Sequence, residues 1–100
     1  MAILEISVSA RGGAGVGLSK YVARAVKVLK DSGLKYQTHA MGTLIEGETA
    51  DLFAIVEKMH EAPFGEEISR VVTSIKIDDR RDKKVSFEDK VRAVSEKVDA

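Results

Sequence analysis

Cysteine is missing from this chain. That excludes a disulfide, a thiolate metal site and a cysteine nucleophile, and it fits a reducing compartment such as the cytoplasm. Tryptophan is missing too, and five aromatics in 100 residues leave no platform on which nucleic-acid bases could stack. Neither sign of charge is in excess. Sixteen basic and sixteen acidic residues argue against a general nucleic-acid binder, while leaving room for a local patch. No apolar run reaches membrane-spanning length, and MAILEISVSA lacks the basic start and apolar core of a signal peptide. The length suits one domain, expected over residues 1–100.

What is present reads as alternating strands and helices. In Ala2–Ala10, Leu4, Ile6 and Val8 point one way and Glu5, Ser7 and Ser9 the other, the period of a half-buried strand. Ser19 is placed to cap a helix whose stripe is Val22, Ala25, Val26 and Leu29, and Gly33 to end it. Lys35–Met41 and Thr43–Glu46 predict a hairpin turning near Gly42. Thr49 is a candidate cap for a second helix with stripe Leu52, Ile55, Val56 and Met59, stopped by Pro63 and Gly65. Arg70–Ile77 is a β-branched strand, and Asp78–Lys84 a polar turn. Ser86 and Asp89 form a capping box before a helix with Phe87, Val91, Val94 and Val98 on one line. The order is β-α-β-β-α-β plus a C-terminal helix. That predicts an α+β, ferredoxin-like split βαβ fold with a four-stranded antiparallel sheet. Two helices cover one face. The other, with Ile3 and Leu44, stays open and favours self-association.

The glycine-rich stretch RGGAGVGLSK imitates nucleotide motifs without matching them. Gly12 and Gly17 have the P-loop separation, but Leu18 stands where lysine belongs. Gly13, Gly15 and Gly17 fall one residue short of the dinucleotide fingerprint. Two readings stay open: a bending connection, or helix-start N–H groups that meet an anionic or polar ligand.

Catalytic constellations are not evident. His39 and His60 are the only histidines, too few for a zinc site, so no metal is expected. No serine sits in a Gly-x-Ser-x-Gly elbow. The run DDRRDKK is either a salt-bridged turn or a phosphate-attracting patch through Arg80, Arg81, Lys83 and Lys84. Glu46, between an apolar residue and a glycine, either receives an amino group and a ring N–H or pairs with a neighbouring lysine or arginine.

The ordered set Ser19, Tyr21 and Val22, Ser32-Gly33-Leu34, Tyr36, Met41-Gly42-Thr43, Glu46-Gly47-Glu48, Arg70-Val71 and Ile75 to Asp82 resembles the YkoF-like thiamine-binding protein family. The resemblance spans nearly the whole chain. It implies a ferredoxin-like subunit that associates through open sheet faces, commonly as a tetramer built from dimers. It also implies binding of thiamine or its hydroxymethylpyrimidine part without catalysis and without a cofactor. On the matching positions, Ser7 would point onto the open face and Thr43 would offer a hydroxyl to a ring nitrogen. Glu46 would accept from the exocyclic amine, and Tyr36 and Met41 would wall the pyrimidine. Strand parity sets Thr43 against Glu46: without a bulge, both cannot line one pocket. Relatives often carry a proline in the glycine loop, which here has extra glycines. The alternative is a structural or regulatory homo-oligomer with no small ligand.

Overall fold

The computed structural model describes residues 1–11 and 19–99. Seven elements follow one another: β1 (Ala2–Arg11), α1 (Ser19–Ser32), β2 (Lys35–His39), β3 (Gly42–Gly47), α2 (Thr49–Glu61), β4 (Arg70–Asp79) and α3 (Phe87–Val98). The strands form one antiparallel sheet in the order β2-β3-β1-β4. This is the ferredoxin-like split βαβ arrangement with an added helix, as the hydrophobic periods predict. The glycine loop lies outside the described residues.

The alternation in β1 decides which face is which. Ala2, Leu4, Ile6 and Ala10 are buried under the helices. Leu4 and Ile6 stand opposite Ile45 and Thr43 of β3, and Leu4, Ile6, Val8 and Ala10 opposite Ile77, Ile75, Thr73 and Val71 of β4. Leu4, Leu29, Ile45 and Leu52 lose all solvent contact. Each such side chain contributes roughly 1.5–3 kcal/mol. The α2 stripe of Leu52, Ile55, Val56 and Met59 is buried as its spacing predicts.

The α1 stripe is rotated from the predicted one. Tyr21, Ala25 and Leu29 are buried, whereas Val22 is 38% exposed. The aromatic ring offers more apolar area than valine, and it turns the helix toward a second small cluster with Ala10 and Ile68. Its hydroxyl donates to the Glu67 carboxylate, while Lys20 and Arg24 lie 5.1 and 4.9 Å from the ring centroid. That hydrogen bond holds the Glu67 carboxyl below its ordinary range and pushes the Tyr21 phenol up.

The caps follow the sequence in part. Gly33 adopts φ +79° just past α1, the left-handed position only glycine fills easily. Ser86 and Asp89 make the predicted capping box of α3. Thr49, however, is the first residue of α2. The N-cap is Glu48, whose side chain makes no cap hydrogen bond, and the Thr49 hydroxyl points to Asp79 at 3.5 Å. Ser19 likewise belongs to α1, and the residues before it lie outside the described ones. His60 reaches across to β4, with Nδ1 2.7 Å from the Thr73 hydroxyl.

α3 crosses to the open face and is fastened only at its start. Phe87 is buried, but Val91, Val94 and Val98 are 63%, 64% and 75% exposed. The radius of gyration, 15.3 Å, exceeds the ~13 Å of a compact chain of this length.

Candidate functional site

The β2–β3 hairpin closes through Ala40 and Met41, with His39 paired to Gly42. Gly42 packs against β1 so closely that a Cβ there would stand 2.7 Å from the Ile6 carbonyl oxygen. Only glycine permits this approach. Pairing of β3 with β1 ends one residue on, at Ile6↔Thr43. Beyond that point β1 runs on with β4 alone among the described strands, so the sheet splits and a hollow opens beside the hairpin tip.

The hollow is a cavity of about 220 Å³ between β1, the hairpin and α1. Ile6, Val8, Ala25 and Met59 give it apolar walls, and Thr38, His39 and Thr43 bring polar atoms. Thr43 is 4% exposed. Its Oγ1 lies 3.5 Å from the Oγ1 of Thr38, its cross-strand partner. A well-formed O–H···O bond is about 2.7–2.8 Å long, so this contact is weak and both hydroxyls can turn to a ligand. His39 is oriented at both ends. Its Nδ1 accepts the Met41 N–H at 3.2 Å, and its Nε2 lies 3.4 Å from a Glu5 carboxylate oxygen. The neutral ring therefore carries its proton on Nε2.

Of the five residues singled out from the sequence, three meet here. Thr43 is inside. Met41, 81% exposed, sits at the rim. Ser7 borders the hollow from a strand position on the open face, opposite Ser74. Tyr36 is elsewhere: it stands opposite Ile45 and packs against the core under the helices. Glu46 is on the other side of the sheet. The registers of β3 with β1 and with β2 run without a bulge, so Thr43 and Glu46 face opposite ways.

Glu46 has a different occupation. It is 6% exposed. One carboxylate oxygen accepts the N–H of Phe87 at 2.5 Å, and the other lies 3.1 Å from the Lys35 ammonium. The Phe87 N–H is one of the orphan donors at the start of α3, so Glu46 caps that helix from another element. Lys35 also binds Glu88 and lies 4.4 Å from the Phe87 ring centroid. The Glu88 hydrogen bond, with Glu46 adding to it, pushes the Lys35 ammonium above its ordinary range. The reading of Glu46 as the partner of a neighbouring lysine is thus the arrangement present. Thr38 was not singled out, although a two-residue turn places it opposite Thr43. Met59 arrives from α2, and no local signal marks it for a cavity.

Among the described residues no cluster of three His, Cys, Asp or Glu is placed to hold a metal ion. None of their helices is long and apolar enough to cross a membrane. The site offers hydroxyls and apolar walls, with the His39 imidazole at its border on the Glu5 side of the sheet, a set suited to hydrogen-bonding a flat polar ring.

Comparison with known proteins adds to this geometry. The UPF0045 protein YqgV of Bacillus subtilis is 44% identical over 99 residues, covering 95% of each chain. A hypothetical protein from Methanocaldococcus jannaschii, solved by crystallography, superposes with a TM-score of 0.84 at 37% identity, covering 95% of this chain and 96% of its own. A proposed thiamine biosynthesis/salvage protein from Thermotoga maritima shares the fold, with a TM-score of 0.77 at 22% identity over 93% of this chain and 97% of its own. The sequence pattern of the family described as thiamine-binding protein matches residues 4–95. On that match, the chain belongs to the thiamine-binding protein family.

Proposed function

We propose that this chain is a non-catalytic cytoplasmic receptor for the pyrimidine end of thiamine, or for free hydroxymethylpyrimidine, held in the cavity beside the hairpin tip. The observation that carries this reading is the loosely paired Thr38–Thr43 hydroxyl couple inside an apolar hollow of about 220 Å³. Clefts that take whole drug-sized ligands run to roughly 300–1,000 Å³. A single heteroaromatic ring suits the smaller space, and the rest of a thiamine would lie outside. Thr43 and Thr38 can each donate or accept at ring nitrogens and the amine, Met41 closes over the ring, and Ser7 meets what projects. Glu46 and Tyr36 then serve the fold around the site rather than the ligand.

Calorimetric titration with thiamine and with hydroxymethylpyrimidine tests this. Saturable binding of either is expected. Thr43→Val, which keeps the volume and removes the hydroxyl, should weaken it roughly three- to tenfold, the value of one net hydrogen bond. No binding at millimolar ligand, or unchanged affinity in Thr43→Val, overturns the reading.

A homo-oligomer is part of the same proposal, because Val91, Val94 and Val98 leave an apolar stripe along α3. A tetramer built from two dimers that associate through the open sheet faces would bury it. If titration fails and assembly persists, a structural role without ligand takes over.

A further inference from the structure

One end of the sheet gathers positive charge. Arg11, the last residue of β1, stands directly opposite Arg70, the first of β4, and both are exposed. Like charges that face each other across a sheet repel. At the same end Tyr21 packs with Ala10 and Ile68, and Lys20 and Arg24 lie 5.1 and 4.9 Å from its ring centroid. Four cations thus gather around the end of β1. No side chain in the connection from Arg11 to α1 answers them, because residues 12–18, GGAGVGL, are all uncharged. The acids nearest in sequence to Arg70 are Glu66 and Glu67. Glu67 is already held by the Tyr21 hydroxyl and by Lys20, 3.5 Å away. The chain as a whole is neutral, so the patch is local. It matches one or two phosphate groups rather than a nucleic-acid backbone.

The patch is joined to the cavity beside the hairpin tip. Ser7 borders that cavity, and Ser9 and Arg11 follow it on the same face of β1. Four residues of strand span about 13 Å. Along this stretch β3 no longer accompanies β1, since their last pair is Ile6↔Thr43. Val22, which lines the cavity from α1, is two residues from Lys20 on one side and from Arg24 on the other. We propose that this patch receives the phosphate groups of the ligand whose ring occupies the cavity. The preferred ligand is then a phosphate ester of thiamine rather than the bare ring compound. This rests on the ring lying in the cavity, as proposed above. A ring seated there directs its tail past Ser7. A diphosphate tail and the reach of an arginine side chain together cover the distance to Arg11 and Arg70. Guanidinium groups bind phosphate oxygens in pairs, and the bound anion offsets the repulsion between the two arginines. Hydroxymethylpyrimidine phosphate, with its phosphate one carbon from the ring, is too short to gain as much.

Calorimetric titration at low salt compares thiamine diphosphate with thiamine, and inorganic diphosphate is titrated alone. The diphosphate ester should bind roughly tenfold to a hundredfold more tightly than thiamine, the value of one charge-assisted hydrogen bond. The gap should narrow as salt is raised. Arg11→Gln combined with Arg70→Gln should remove most of the gap. Lys27→Gln, an equal loss of charge at an exposed position of α1, should leave it in place. Unfolding midpoints show that each variant is folded. The proposal is overturned, and the cavity reading kept, if thiamine binds and its diphosphate binds no more tightly. It is equally overturned if the gap survives in the well-folded double arginine variant. Inorganic diphosphate that binds the parent and not that variant supports the patch, even where thiamine itself fails and the cavity reading falls. If thiamine, its diphosphate and inorganic diphosphate all fail to bind, both readings fall.

Discussion

The two faces of the sheet are held by different physics. Under the helices, Leu4, Ile6, Ile45 and the α2 stripe form a continuous apolar layer with almost no polar content beyond Thr43. On the other face, α3 is fastened at one end by a carboxylate, an ammonium and an aromatic ring, and the rest of the helix projects. The first face is held by area, which is non-directional and tolerant. The second is held by geometry, which depends on single atoms.

The largest effect should come from the covered face. Leu4→Ala is expected to cost about 2–5 kcal/mol in denaturant titration. Its neighbour Ile3, half-buried on the open face, should cost clearly less when cut to alanine. Equal losses would break the comparison and mean that the open face is buried in an assembly. Glu46→Ala comes next. It strands the Phe87 N–H and leaves Lys35 with Glu88 alone, a loss of about 1–3 kcal/mol. Amide exchange should rise along α3 and stay unchanged in α2. Ser86→Ala removes the local half of the same attachment, about 1 kcal/mol.

The pH response sharpens the contrast. Glu67, Asp79 and Asp89 are held below their ordinary values, by the Tyr21 hydroxyl, by Arg81 and by the Ser86 backbone N–H respectively. A carboxylate depressed by folding stabilises above its unfolded pKa, so stability should fall as pH drops below about 4. Lys35 is raised, so its contribution is complete below its ordinary pKa and lost as pH rises through the folded one. Loss of α3 should therefore mark the alkaline limb in amide exchange, while the melting midpoint records the acid limb. The smallest effect on the isolated subunit is expected from Val94→Ser, within about 0.5 kcal/mol. In sedimentation the same variant should weaken association through the open face.

Much of this was legible in the sequence because it is local. Alternation in β1, the 3–4 spacing in α2, Gly33 and the Ser86–Asp89 box depend on near neighbours, and the structure contains each. Tyr21 outweighed Val22 because the α1 stripe is settled by what it meets across the core, which spacing does not encode. Parity gave the conflict between Thr43 and Glu46, and the unbroken register keeps the two apart. The cavity itself was not legible. It exists because Gly42 seats the hairpin on Ile6 just where the strands part, and because Met59 closes it from 16 residues downstream of Thr43.

β1 pairs with Asp79 at its first residue and with Arg70 at its last. The strand made first thus waits for a partner nearly the whole chain later. At a synthesis rate of about 5–20 residues per second, that wait lasts several seconds. Through it α1, the hairpin and α2 can already cover Leu4 and Ile6, while the β4 side of β1 stays unpaired. Contacts so distant in sequence also slow the final step, since a long loop must close before they repay it. A chain stalled before Asp79 therefore still shows the main-chain donors and acceptors at the start of β1 that β4 satisfies in the finished sheet.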